Sequence, residues 1–161
     1  MNRKAIFLAG AAAAALVTMA ALAQQPGDEA GAEGVTFLGE PVSVAEIANG
    51  QRLYAESCAS CHGTNLEGQS NWKRRLDNGR MPAPPHDETG HTWHHADGGL
   101  FTVTKLGVSA VVPDYESDMP AFEGVLADEE IRAVLAFIKS RWPEQQRAIQ
   151  TDITTKIDGG S

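Results

Sequence analysis

Positive charge, cysteine and strand-like alternation are all scarce in this sequence of 161 residues. Lysine and arginine number 13 against 21 aspartates and glutamates, for a net charge of −8 at pH 7. This balance disfavours nucleic acid as a partner. The two cysteines are too few for a zinc site built of four thiolates. No strand pattern and no internal repeat occurs, so helical periodicity is the main structural signal.

The first 23 residues have the features of an export signal. Residues 2–4 are polar and basic, residues 5–20 are an alanine-rich apolar run, and Ala-Leu-Ala at residues 21–23 is a small-x-small cleavage site. Cleavage after Ala23 would leave 138 residues with a net charge of −10, and we expect this mature chain in the periplasm. The alternative is that residues 6–23 stay in place as a membrane anchor, because a span needs about 20 apolar residues. A membrane contact is expected only in that case.

The rest of the chain divides into three parts. Residues 24–41 are rich in glycine and acidic side chains without an apolar period, and this composition predicts a flexible acidic leader. Residues 42–142 form the predicted domain, and a single domain agrees with the length. Residues 143–161 begin with a proline that stops the preceding helix, and we expect them to be a polar C-terminal tail.

Three segments of the domain show helical periodicity. Ser43 and Glu46 have the spacing of a capping box, and Gly50 in the helix that follows would let another backbone approach closely. Residues 97–106 predict a short helix with Asp97 as its N-cap. The last helix carries apolar residues at i, i+3, i+4, i+7 and i+11: Ile131, Val134, Leu135, Ile138 and Trp142. We expect the first and last helices to cross near Gly50.

Cys58, Cys61 and His62 form the pattern Cys-x-x-Cys-His, the attachment signature of c-type haem. Two thiols three positions apart at a helix end can reach the two vinyl groups of one porphyrin and place the adjacent imidazole below the iron. A bound haem would also fill a core that three short helices leave thin. The alternatives are a structural disulfide, a thioredoxin-like redox pair and half of a zinc site.

Three segments, NGQRLYAESCASCHG, DMPAF and LADEEIRAVLAFIKSRW, together resemble a class I cytochrome c over residues 42–142. The resemblance implies an all-α cytochrome c fold, with three to four short helices and long loops wrapped around one haem c bound through Cys58 and Cys61. It implies a monomer that transfers single electrons in the periplasm between a donor and an acceptor redox protein, and that is not an enzyme. It also implies His62 and Met119 as the two axial iron ligands.

The choice of Met119 has separate support from the sequence. After cleavage only Met81 and Met119 remain, and each of them precedes a proline. The chain must cross to the far face of the macrocycle before its last helix returns, and Met119 lies at that point. Thioether and imidazole are a known axial pair. Met81 is then expected to be a wall residue, and core packing is the ordinary role of a lone methionine.

The remaining candidates for haem contacts lie between the signature and the third helix. Arg80, Trp93 and His94 could donate to the negatively charged propionates, and the alternative is that they are ordinary surface or loop side chains. The second ring nitrogen of His62 needs an acceptor that fixes its tautomer, and a carbonyl of residues 81–85 is expected because prolines hold that stretch rigid.

Two other functions compete with the electron carrier. One is a haem enzyme or gas sensor in which Met119 is a labile ligand. The other is a metal-handling cytochrome that binds copper or zinc with a histidine-rich loop. That loop contains His86, His91, His94 and His95 together with Asp87 and Asp97. Glycines interrupt any helix that would align these histidines, so a polar loop covering one haem edge is the simpler interpretation.

Overall fold

The structure, a computed structural model, describes residues 34–159. The predicted export signal and most of the predicted leader lie outside these residues. The described part is mostly helical, which confirms the predicted all-α class. Its elements are β1 (Thr36–Phe37), β2 (Glu40–Pro41), α1 (Val44–Ser57), α2 (Ala59–His62), α3 (Asp97–Leu106), α4 (Asp128–Ser140) and α5 (Glu144–Ile157). None of the helices found within these residues is long and apolar enough to span a membrane.

Helix α1 begins with half of the predicted capping box. The Ser43 hydroxyl accepts the Glu46 backbone N–H at 3.1 Å, as expected. The predicted return bond from the Glu46 carboxylate is wrong, because that carboxylate accepts instead from Arg132 Nε of α4 at 2.7 Å. A charge-assisted bond to a guanidinium is stronger than a bond to a backbone amide. The start of α1 is therefore tied directly to α4.

The crossing of α1 and α4 forms the centre of the fold, and it confirms the expected packing at Gly50. A Cβ atom on Gly50 would lie 1.9 Å from the carbonyl oxygen of Ala133, so the two backbones touch there. The apolar stripe predicted for the last helix is completely buried, although Trp142 lies just beyond the end of α4. No member is more than 6 % exposed: Ile131, Val134, Leu135, Ile138 and Trp142. Burial of this stripe is the main apolar contribution of α4 to stability.

The residues just before α1 differ from the predicted flexible leader. Strands β1 and β2 form an antiparallel pair, with Phe37 opposite Glu40. The Phe37 side chain is 0 % exposed, and its carbonyl oxygen accepts from Arg132 at 2.6 Å. Two strands of two residues each are too short to show alternation in the sequence, so composition alone indicated a leader where a packed hairpin exists.

The C-terminal segment also departs from the prediction of a polar tail. Residues 144–157 form α5, whose most buried side chain is Gln150, a polar residue. Its Nε2 donates to Asp97 Oδ1 at 2.6 Å and to the His95 carbonyl at 3.1 Å. A helix that packs through a glutamine has little apolar periodicity, and this is why the sequence did not predict it.

Helix α3 matches the predicted range, but its N-cap is Ala96 and the prediction of Asp97 is wrong. The Asp97 side chain is buried against Lys139 of α4 at 3.1 Å, so it cannot cap its own helix. Two N–H groups in the first turn of α3 donate to α5 and its C-cap instead: Asp97 N–H to Thr154 Oγ1 at 3.1 Å and Gly98 N–H to Asp158 Oδ2 at 2.9 Å. Helix α5 thus supplies the cap that α3 lacks.

Candidate functional site

The two cysteines lie at the junction between α1 and α2. Cys58 ends α1 and is half-buried, whereas Cys61 lies within α2 and is exposed; both are free thiols. The alternative of a structural disulfide therefore finds no support. Burial, reinforced by the charge of Cys61, raises the pKa of Cys58 to about 11. A neutral thiol at physiological pH is unlike the low-pKa thiolate of a thioredoxin-like redox pair.

His62 closes α2 with a buried ring whose orientation is well defined. Its Nδ1 lies 2.9 Å from the carbonyl oxygen of Pro84, which confirms the acceptor expected within residues 81–85. A carbonyl can only accept, so Nδ1 carries the proton and Nε2 keeps its lone pair. Burial lowers the pKa of His62, and the bond to Pro84 opposes this only in part. The ring is therefore neutral at pH 7 and suited to metal ligation.

The backbone around His62 is held from two sides. The His62 carbonyl accepts the N–H of Gly68 at 2.7 Å. The Tyr54 hydroxyl of α1 donates to the Gly63 carbonyl at 2.9 Å. Burial raises the pKa of Tyr54 above its ordinary value of 10, so this hydroxyl keeps its proton throughout the physiological range. The Cys-x-x-Cys-His segment is thus fixed to α1 by more than chain continuity.

Met119 lies in a loop that is anchored on both sides. Its own N–H donates to Ser117 Oγ at 3.0 Å, and the N–H of Phe122 donates to the Thr104 carbonyl at the end of α3 at 3.1 Å. Phe122 is buried, whereas Met119 is half-buried and packs against the core. The role of Met119 as an iron ligand stays a prediction, as does the wall role of Met81, which is also half-buried.

Several apolar side chains contact the core on one side and remain accessible on the other. They are Ile47, Cys58, Trp93, Leu100, Phe101, Met119 and Leu126. Half-covered apolar side chains of this kind are what a flat, largely apolar group such as a porphyrin needs. The set includes one of the two proposed attachment residues and the proposed second ligand, so the residues present fit a haem.

Arg80 is engaged with carboxylates next to Met119. Its guanidinium donates to Asp118 and lies 3.7 Å from Glu116. The hydrogen bond to Asp118 raises the pKa of Arg80, so the side chain is a permanent cation. This ion pair joins the loop of residues 81–85, which contacts His62, to the loop that carries Met119. A role of Arg80 toward the propionates stays a prediction.

Trp93 and His94 form a stacked pair near the start of α3. Their ring centroids are 3.6 Å apart, with an angle of 29° between the planes. The Trp93 indole N–H donates to the Glu88 carbonyl at 3.3 Å. Trp93 is half-buried against the core and His94 is exposed. The contribution of either residue to cofactor binding stays a prediction.

The histidine-rich loop does not gather its histidines around one point. His91 stacks on Trp72 with centroids 5.4 Å apart, and His95 meets the edge of His91 at 5.4 Å. Among residues 34–159, no three His, Cys, Asp or Glu side chains form a group that could hold a metal ion. The described structure therefore offers no support for the second metal site.

His86 is the functional neighbour that the sequence did not reveal. Its ring stacks on His62 with centroids 4.0 Å apart, although the sequence suggested it only as a member of the histidine-rich loop. Burial, and then the charges of His62 and His91, hold the pKa of His86 well below 6.5, so it is neutral at pH 7. The rigid Pro84-Pro85 pair before it was the signal that could have indicated a fixed position.

Comparisons with known proteins give matches over the same part of the chain. The family model described as Cytochrome c matches residues 47–142. Two sequences of the Cbb3-type cytochrome c oxidase subunit CcoP from Rhodobacter capsulatus are 29 % identical to the chain over 104 and 105 residues. These alignments cover 63 % of the chain and 31 % of each relative, so the chain spans about a third of the length of the curated relatives it matches. No solved structure is significantly similar.

Proposed function

Because the chain belongs to the cytochrome c family, we propose that it carries single electrons between redox proteins with one haem c attached through Cys58 and Cys61. His62 and Met119 are the proposed axial ligands. The state of His62 is the observation that carries the proposal. Its neutral ring follows Cys61 directly and is bonded to Pro84 through Nδ1, so the Nε2 lone pair is available for iron.

When bound, haem c supplies an iron that changes between Fe(II) and Fe(III) by one electron. The side chains of the site set how readily it does so. Half-buried apolar side chains next to the haem would exclude water and disfavour the extra positive charge of Fe(III). The soft thioether of Met119 acts in the same direction. If His62 and Met119 both held the iron, no position would be left for a small substrate, which favours a carrier over an enzyme.

We propose the periplasm as the location and an oxidase as one class of redox partner. The basic start and the Ala-Leu-Ala site at residues 21–23 support export, and a mature protein that begins at Gln24 in its mass spectrum would agree. The two relatives from Rhodobacter capsulatus are named as subunits of a cytochrome c oxidase. Reoxidation of the reduced protein by a purified cytochrome c oxidase tests the second point, and its absence would remove this partner class.

Visible spectra of three proteins, exported in a host with a haem maturation system, test the central proposal. The wild type should be coloured, keep its haem in a denaturing gel and show the sulfur-to-iron charge-transfer band. Met119→Ala should lose that band, and its reduced form should bind carbon monoxide. Met81→Ala, the matched control before the other proline, should resemble the wild type.

Three results would count against the proposal. A colourless wild type would remove the haem, and Met119→Ala with an intact charge-transfer band would remove Met119 as ligand. Rapid carbon monoxide binding by the reduced wild type would favour the alternative, a haem enzyme or gas sensor with a labile methionine.

A further inference from the structure

The imidazole of His86 packs face to face against the imidazole of His62. The ring centroids are 4.0 Å apart and the planes differ by 20°, so the two flat faces are in van der Waals contact. His86 therefore places a rigid planar group directly beside the side chain that we propose as the first iron ligand.

His86 is itself held by three separate parts of the molecule. Its backbone N–H donates to the Leu66 carbonyl at 2.7 Å, and its own carbonyl accepts from the indole N–H of Trp142 at 2.7 Å. Its ring Nδ1 lies 2.8 Å from Thr92 Oγ1. One anchor precedes His86 in the sequence, and the other two follow it, the last of them just after α4. The position of the His86 ring therefore does not depend on its contact with His62.

The hydrogen bond from His62 to Pro84 does not by itself fix the plane of the imidazole. A single bond at Nδ1 holds one atom of the ring and still permits small coupled rotations about the Cα–Cβ and Cβ–Cγ bonds. The face of His86 blocks these rotations, since a turned ring would collide with it. Pro84 and His86 lie two residues apart in one proline-rich segment, so this segment restrains both the edge and the face of His62.

We propose that His86 is a positioning residue that sets the plane of the His62 imidazole. The proposal rests on the proposed function, in which His62 binds iron. A ligand held in one plane gives a single, narrow population of metal environments, and a ligand free to turn gives a broad one. The effect of His86 is therefore on the uniformity of the iron site rather than on its formation.

Electron paramagnetic resonance of the ferric holo-protein tests the proposal with three variants. His86→Ala should broaden the low-spin signals and shift their principal g values, because the space beside His62 is emptied. His86→Phe should restore narrow signals, since it replaces one flat face with another. His95→Ala is the matched control: it removes an exposed histidine whose ring meets the edge of His91 and should leave the spectrum unchanged.

The outcomes separate a positioning role from general destabilisation. If His86→Ala lowers the melting temperature but keeps the wild-type spectrum, or if His86→Phe broadens the signals as much as His86→Ala does, the proposal is overturned. A wild type without any low-spin ferric signal would instead mean failure of the proposed function. In that case the test is the exchange rate of the His62 Nδ1 proton with solvent, measured by NMR in the protein as purified. His86→Ala must exchange this proton faster than the wild type.

Discussion

Asp97 and Lys139 form an ion pair that is almost completely withdrawn from water, with the two side chains 1 % and 2 % exposed. Lys139 Nζ lies 3.1 Å from both carboxylate oxygens. The carboxylate also accepts from the backbone N–H of Leu38 at 2.9 Å and from Gln150 at 2.6 Å. A buried charge is tolerated only when it is paired and hydrogen-bonded, so this cluster depends on all its members.

Replacement of Asp97 by alanine should therefore be strongly destabilising. The change leaves the ammonium group of Lys139 buried without a counter-charge, and we expect a loss of about 3–5 kcal/mol in the free energy of unfolding. Asp152→Ala is the control, because its partner Lys156 is exposed, and it should change stability by less than about 0.5 kcal/mol. Denaturant unfolding measures both; equal effects would contradict the role given to burial.

The histidine-rich loop gives the protein a pH-dependent contribution to stability. Burial, followed by the charges of His95, His94 and Lys73, lowers the pKa of His91 from 6.5. The unfolded chain takes up a proton on His91 near pH 6.5, and the folded chain does so only at lower pH. The unfolded state thus binds more protons, and stability is lost as the pH falls below 6.5.

We expect His91→Gln to remove part of this acid sensitivity. The variant cannot take up the proton, so the wild type should lose stability relative to it as the pH falls from about 7 to about 5. Denaturant unfolding at several pH values gives the difference between the two proteins. A difference that does not depend on pH would show that His91 titrates equally in the folded and unfolded states.

At the residue scale the sequence predicted the contact for which a motif states a need, and it missed the contacts that no motif indicates. The bond of His62 to a carbonyl of residues 81–85, where the acceptor Pro84 is 22 positions away, could be expected because prolines hold that stretch rigid. The burial of Asp97 could not, since its partners Leu38, Lys139 and Gln150 are between 42 and 59 positions away. An aspartate before a helical pattern is ordinarily a cap, and only tertiary contacts reveal the exception.

At the scale of elements, the contact between α1 and α4 leaves no space at Gly50. An added Cβ would meet the Ala133 backbone at 1.9 Å, and backbone cannot move aside as the end of a flexible side chain can. Gly99, on the exposed side of α3, is the opposite case, because nothing lies within 4 Å of an added Cβ. The same substitution therefore acts through packing at one site and through helix propensity at the other.

We expect Gly50→Ala and Gly99→Ala to change stability in opposite directions. Gly50→Ala should cost about 1–3 kcal/mol or more, because the helices must separate. Gly99→Ala should stabilise by about 0.5–1 kcal/mol, because alanine restricts the unfolded chain and favours the helix. Thermal or denaturant unfolding compares them, and a stabilising Gly50→Ala would refute the close crossing.

The elements that the sequence predicted are those with an apolar period. Helix α4 carries four buried apolar side chains of one stripe and Trp142 follows it, and α1 carries a cap and a glycine contact that are both visible in the sequence. Helix α5 is different: its buried residue is Gln150 and its isoleucines include the exposed Ile149 and Ile157. Its packing depends on hydrogen bonds to α3, and hydrogen bonds leave no periodicity to detect.

At the scale of the whole molecule, the folded unit is larger than the family match. Residues 47–142 carry the match, yet the hairpin before it and α5 after it both reach the buried Asp97. The hairpin contributes the Leu38 N–H, and α5 contributes Gln150. The resemblance correctly predicted an all-α fold. It covers only the residues that this chain shares with the family, so it could not indicate that the hairpin and α5 complete the core.

Removal of α5 should therefore weaken the whole domain. A chain that ends at Pro143 loses the caps from Thr154 and Asp158 to α3, and it exposes the Asp97 cluster by removing Gln150. A helix cap contributes about 1 kcal/mol and a hydrogen bond to a charged group about 1.5–3 kcal/mol, so we expect a loss of about 3 kcal/mol or more. A chain that ends at Asp158 keeps all these contacts and should unfold like the full-length protein. If the shorter chain unfolds at the same denaturant concentration as well, α5 is an appendage rather than part of the folded unit.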